Sequence, residues 1–368
     1  MSAGTARTLA RKAAAAFPCT TTLRIMLYHN EKAELSFDLT ADDDAPVCTW
    51  FPSAKLDRPE AAIILLRRFG QSVDLQELQL QLPHIGRFSS LSKMLPLAPR
   101  LVVLDLSGCR HQPSDLLAVA EHLQQLQQLL LHCQEFSTLS GCRRSSGSAA
   151  WPRMGGNTCY EPAHIAALAQ LPQLRLLECP VPTGGLLVET GGGDGAHPWA
   201  CEWLESIAKL TQLTAVHLIQ GKAAWAGYPL PAAAVSCLSA LTGLQHLRAD
   251  AGGGRFASSH SADVGVQQGE GWALALRGMQ QLTRLEMTRV LVCDPLLRVI
   301  GAAGMPLLRV LVLEALDMLG EVATSAEGAN ALAHIPRMEL LFNKGMSCKQ
   351  HMALLELPNI KRLVNCKQ

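Results

Sequence analysis

The 368-residue chain is 48% hydrophobic but only 17% charged and 5% aromatic, so its core must be filled with Leu, Val and Ala, which favours a thin layered stack over an aromatic-centred globule. A formal net charge of +1 supplies no sequence-independent attraction to phosphate backbones, and nucleic acid is set aside as a partner. No stretch approaches about 18 consecutive apolar residues, so no membrane span is expected.

From the N-terminus, Arg7, Arg11, Lys12 and Arg24 stand without an acid, and the Ala13–Phe17 run is too short for the apolar core of a secretory signal. The Ala/Arg/Thr composition fits either an organelle transit peptide or an exposed cap. Residues 1–69 are read as an N-terminal capping region with short strands and helices, partly disordered at 1–16, and with a strand at Leu23–Leu27.

Beyond residue 70 a phrase recurs. The pattern L-x-x-L-x-L occurs at Leu75-Leu78-Leu80, Leu101-Leu104-Leu106, Leu126-Leu129-Leu131, Leu174-Leu177-Cys179 and Leu213-Val216-Leu218. It continues at Leu244-Leu247-Ala249, Leu282-Leu285-Met287, Leu308-Leu311-Leu313, Met338-Leu341-Asn343 and Ile360-Leu363-Asn365. Most copies carry a further apolar residue three positions earlier, as at Leu123, Leu171, Leu210, Leu241, Met279, Ile335 and Leu357. Steps between middle positions are 26, 25, 48, 39, 31, 38, 26, 30 and 22 residues. The 48-residue step holds Ser137–Tyr160, rich in Ser, Gly and Arg, which reads as a flexible insertion. Side chains spaced by two share one face of a strand, so the last two apolar positions point into a stack and the residues between them point out. The connections hold amphipathic helical pieces such as Cys201–Leu210, with Glu205 and Lys209 at a favourable i,i+4 spacing. Pro162, Pro198, Pro231 and Pro295 sit where a helix's first turn tolerates proline, the last after a capping Asp294.

This pattern resembles the leucine-rich-repeat family. The resemblance covers roughly residues 70–368 and implies an α/β solenoid: a curved horseshoe of about ten repeats, with a parallel β-sheet on the concave face and helices and loops on the convex face. The stretch Leu101–Cys109, followed by Ser114, Asp115 and a helical run, is similar to the cysteine-containing subtype found in F-box proteins; Cys109 fits the subtype's cysteine position and Cys133 falls one residue early. That narrower resemblance implies a substrate-recognition subunit of a ubiquitin ligase. The wider family implies a protein-interaction scaffold using the repeats alone, cytoplasmic and in some members cytoskeletal or axonemal. Residues 1–60 do not carry the ordered Leu-Pro and Cys/Trp helices of an F-box.

Enzyme chemistry is not expected. The run Gly191-Gly192-Gly193-Asp194-Gly195-Ala196 can be written G-x-G-x-x-A, but Pro198 breaks the helix start and no acid follows about twenty residues on, so it reads as a loop and no cofactor is expected. His132 beside Cys133 cannot act as base and nucleophile from one strand, because neighbours point to opposite faces. Twelve cysteines lack any C-x-x-C pair and the histidines are scattered, so buried reduced thiols are expected, with no metal site. Trp151, Trp199, Trp203, Trp225 and Trp272 fall in connections and should pad the convex side.

The candidate binding face follows from register. Residues between the inward leucines line up across strands roughly 4.8 Å apart. That column reads Glu178, His217, Arg248 and Glu286; the adjacent column adds His246 and Arg284, and the next Asp250 and Thr288. Such a row is either a self-satisfied charge ladder or a band recognising a partner's charged segment. Further along, the same outward positions turn apolar at Val310 and Val312, then Leu340 and Phe342, then Val364. A bare last strand would expose unpaired backbone, so self-association, a partner or an incomplete gene product is expected at the C-terminal edge.

Overall fold

The computed structural model describes residues 22–26, 37–39, 48–50, 75–82, 91–109, 112–131, 160–181, 198–219, 232–250, 262–290, 293–301, 305–315, 331–342 and 360–365. The chain forms two compact units, one of residues 1–134 and 156–179, the other of residues 135–155 and 180–368.

In the first unit, β1 (Thr22–Met26), β4 (Glu77–Leu82), β5 (Val103–Cys109), β6 (Gln128–Leu130) and β7 (Leu176–Pro180) pair in that order, every pair parallel. A short antiparallel pair, β2 (Phe37–Leu39) with β3 (Cys48–Trp50), lies between β1 and β4 in the chain. The sheet therefore begins inside the segment read as an N-terminal cap. In the second unit, β8 (Ala215–Ile219), β9 (His246–Asp250), β10 (Arg284–Val290), β11 (Val310–Ala315), β12 (Arg337–Phe342) and β13 (Ile360–Asn365) follow the same rule. Spatial order equals chain order, so each crossover places its successor at the same growing edge. That is how a solenoid is laid down.

The repeat phrase explains each turn of the coil. Its middle leucines stand in register: Leu78 beside Leu104, Leu104 beside Leu129 and Leu129 beside Leu177. In the second unit Val216 stands beside Leu247, Leu247 beside Leu285 and Leu285 beside Leu311. All of these side chains are buried, at 2% exposure or less. Fully burying one such side chain stabilises by about 1.5–3 kcal/mol, so each repeat contributes several such increments to one continuous core. The apolar residue three before the first leucine has its own reason. Its carbonyl accepts the first leucine's N–H at 2.9–3.2 Å in Leu126 to Leu123, Leu174 to Leu171, Leu213 to Leu210, Leu244 to Leu241 and Leu282 to Met279. The chain thus turns into the strand with both ends of the turn anchored in the core.

Helical segments fill the connections. They are α1 (Leu91–Met94), α2 (Asp115–His122), α3 (Pro162–Ala167), α4 (Pro198–Ala208), α5 (Ala232–Ser236), α6 (Ala262–Gly278) and α7 (Asp294–Ile300), with 3-10 turns at Leu95–Leu97, Leu168–Gln170 and Cys237–Ala240. Proline opens α3 and α4, and follows Asp294 in α7, as the sequence indicated. The cap of α7 is Cys293 in extended conformation, not Asp294. Asp294 lies in the first turn, where its charge favours the helix N-terminus, and its carboxylate stands 4.0 Å from Arg298. Trp203 on α4 and Trp272 on α6 are buried, with indole N–H groups that find no partner. Cys179 and Cys293 are buried free thiols, whereas Cys201 and Cys237 are partly exposed. The proposed insertion is outside the described residues except for Tyr160, which is buried; the glycine run, His132 and Cys133 are outside them too.

The register corrects the reading of β12. Leu311 pairs with Met338 and Leu313 with Leu340, so the phrase runs Ile335-Met338-Leu340 and not Met338-Leu341-Asn343. Ile335 turns back to Leu332 in the usual way, at 3.1 Å, and both are buried. The local sequence offers leucines at both 340 and 341, and so two frames. The chosen frame keeps the turn residues Leu332 and Ile335 in the core. In β13, Ile360 then pairs with Met338 and Leu363 with Leu340, with a bulge between them.

Candidate functional site

One face of each sheet carries the outward residues of the repeat. In the first unit the outward column reads Gln79, Asp105, Leu130 and Glu178, so the lateral neighbour of Glu178 is Leu130. In the second unit it reads His217, Arg248, Glu286, Val312 and Glu339. The column before it reads Ala215, His246, Arg284, Val310 and Arg337, and the column after it sets Asp250 beside Thr288. His217, His246, Arg248, Arg284 and Glu286 are brought together; Glu178 belongs to the other unit.

Phe342 is not part of this outward column. It pairs with Ala315, and Glu339 stands beside Val312 instead. A slip of three residues is odd, and an odd slip exchanges the two faces of a strand. The apolar patch therefore loses Leu340 and Phe342, while Leu341 stands beside Glu314 and Val364 beside Leu341; Val310 and Val312, both partly exposed, have Arg337 and Glu339 as their next neighbours. The sequence reading missed those two residues, and the i to i−3 turn at Leu332 and Ile335 is the signal that would have found them.

Glu286 is the hub of the cluster. Its side chain is only 15% exposed, while those of Arg248 and Arg284 are 50% and 48% exposed. Arg284 Nε donates to Glu286 Oε1, and Arg248 Nε lies 3.8 Å from Oε2, so each carboxylate oxygen faces one guanidinium. Burial alone would push the Glu286 carboxyl up; the Arg284 hydrogen bond and charge, with His246 and Arg248, hold it net below the usual carboxylate range. It is therefore ionised at neutral pH.

His246 completes the arrangement. Its Nε2 is buried and lies 3.5 Å from Glu286 Oε1, a long contact short of a well-formed hydrogen bond. Its Nδ1 stands 3.3 Å from His217 Nε2, with the rings edge to face at a 4.6 Å centroid separation. A bond between two imidazoles needs one N–H donor and one bare acceptor nitrogen, so the accepting ring is neutral. The local field agrees, because burial first and then His217 and Arg284 pull His246 below the ordinary histidine value, against Glu286.

This chemistry orients cations around one anion; it provides no nucleophile with a base beside it. Among the described residues no three His, Cys, Asp or Glu side chains come together as metal ligands, and no helix is long and apolar enough to cross a membrane. A shallow hollow of about 350 Å³ in the first unit is lined by Gln76, Arg100, Val102 and Gln125 and likewise lacks a nucleophile.

The fold is that of a leucine-rich-repeat array. The in-register leucines and the strand order carry that statement. No family model matches the chain, and no curated protein matches it either. Among solved structures, the crystal structure of a TLR13–ssRNA13 complex is similar over 77% of this chain at 14% identity and a TM-score of 0.27. This chain spans 42% of that protein's length.

Proposed function

We propose that this chain is a non-catalytic scaffold that binds a protein partner through the outward face of the sheet in its second unit, in a cytoplasmic setting such as the cytoskeleton or a ciliary axoneme. The observation carrying this reading is the conjunction, on one face, of the Glu286-centred cluster with the partly exposed Val310 and Val312 beside it. Interfaces characteristically combine a small apolar centre with arginine-bearing polar surroundings. Substrate recognition for a ubiquitin ligase is the second role that repeats of this type imply, and no observation on the second unit's face favours it.

The test is affinity capture of the tagged full-length protein from its native cells, quantified by mass spectrometry, beside a variant carrying His217→Ala and Val312→Asp. Partners lost from the variant and retained by an Arg298→Gln control on α7 support the reading. Partners retained equally by wild type and face variant refute it, and ligase-core subunits recovered in both captures would support the adaptor role in its place.

A further inference from the structure

Resting on that reading, we infer that the second unit's face recognises a side-chain carboxylate of its partner, gripped by Arg248 and Arg284, with an aliphatic residue next to it seated on Val310 and Val312.

The two arginines are held alike. Both turn their Nε edge to the same carboxylate, one to each oxygen. That edge is the inner side of the guanidinium; the Nη groups form the outer fork. Among the described residues neither arginine makes any other ion pair or hydrogen bond, and each side chain is about half exposed, at 50% and 48%. Two guanidiniums around the one Glu286 carboxylate exceed it by one positive charge and leave two sets of Nη donors outside that contact. Planar guanidinium forks match the geometry of a carboxylate, and the fixed side chains have little rotamer freedom left to lose when it docks.

The neighbours narrow the ligand. His246, held below the ordinary histidine value by burial first and then by His217 and Arg284, adds no charge at neutral pH, and its Nδ1 is engaged by His217. The uncompensated charge is thus that of a single monoanion, and Glu286 lies close enough to repel anything more negative. Val310 and Val312 pair laterally with Arg284 and Glu286, so an apolar floor lies one strand away from Arg284 and two from Arg248. An acidic residue adjacent to an aliphatic one fits both features at once. A phosphorylated residue fits the forks but carries more charge than the site leaves unbalanced.

The experiment uses the full-length protein at low ionic strength and fluorescein-labelled short peptides of the type Gly-Ser-Glu-Val-Ser-Gly, read by fluorescence anisotropy. Counterparts carry Gln, Lys or phosphoserine in place of Glu. The Glu peptide is expected to bind about tenfold more tightly than the Gln peptide, the difference corresponding to a charge-assisted contact. That preference should vanish in Arg248→Gln/Arg284→Gln, persist in Arg298→Gln, and reverse towards the Lys peptide in Arg248→Glu/Arg284→Glu. Unchanged thermal unfolding of the Gln variants shows that they fold. No binding of the Glu peptide, equal binding of the Glu and Gln peptides, or a preference that survives in the double Gln variant overturns the inference; tighter binding of the phosphoserine peptide reassigns the ligand as a phosphate and overturns it as stated. The capture reads partner binding by the whole face and the peptide assay reads the two arginines alone, so partners lost from the capture variant together with equal binding of the Glu and Gln peptides would uphold the scaffold reading and overturn only this inference.

Discussion

Replacing Gly271 by Ala sets helix propensity against packing. Gly271 lies within α6 and is buried, so propensity alone promises a gain of about 1 kcal/mol for alanine in a helix interior. Packing opposes it. A methyl group there would lie 2.8 Å from the Ala232 carbonyl oxygen and 2.9 Å from the Ala232 Cβ, on the neighbouring α5. These are backbone and backbone-anchored atoms that cannot swing aside, and forcing an extra carbon into a packed layer typically costs about 1–3 kcal/mol. The contact distances are well inside ordinary van der Waals range, so the upper part of that interval applies and the net effect is a loss of about 1–2 kcal/mol. Gly243 is the control, because nothing lies within 4 Å of the methyl group it would gain. Gly243→Ala should be neutral or stabilise by about 0.4–1 kcal/mol through the unfolded chain. Urea unfolding followed by circular dichroism measures both. A Gly271→Ala protein as stable as wild type would refute the claim that adjacent helices meet backbone to backbone at this glycine.

Two other outcomes follow from the register and the cluster. With Val312→Cys and Glu339→Cys the two sulfurs stand on laterally paired residues of β11 and β12 and should oxidise to a disulfide detectable by peptide mapping, whereas Val312→Cys with Phe342→Cys should not. His246 should titrate below the ordinary histidine value in imidazole NMR spectra. Its folded state binds the proton less well than the unfolded chain, so stability should fall as pH drops below the unfolded value of about 6.5, and His246→Gln should flatten that dependence. The opposite group behaves separately: Glu286, depressed in the fold, contributes stability present above its ordinary value of 4.5 and lost as pH falls through its lower folded value.

Much of the architecture is legible in the residues because the repeat phrase is a physical constraint written once per strand. Leucines at the turn, the middle and the third position each enter the core, and Leu244, Leu247 and Ala249 can be placed from spacing alone. The columns His217–Arg248–Glu286 and His246–Arg284 follow from the same spacing, since strand parity fixes the face. Parity also explains the failure at Phe342. Where Leu340 and Leu341 are consecutive, periodicity offers two frames, and only the burial of Leu332, Ile335 and Met338 selects between them. The joining of β1 to β4 was not legible either, because Thr22–Met26 lacks the leucine phrase and gains its place from backbone pairing. Nor could sequence show that Arg248 and Arg284 share one carboxylate, which depends on side-chain rotamers rather than on spacing.

Binding through the outward face of the second unit is tested most directly by site-specific photocrosslinking in native cells. A photoreactive residue replaces Thr288 on that face or, in a separate protein, Leu274, which is 50% exposed on α6. The account predicts a discrete partner crosslinked from position 288 and none from position 274; a partner captured from 274 alone would contradict it.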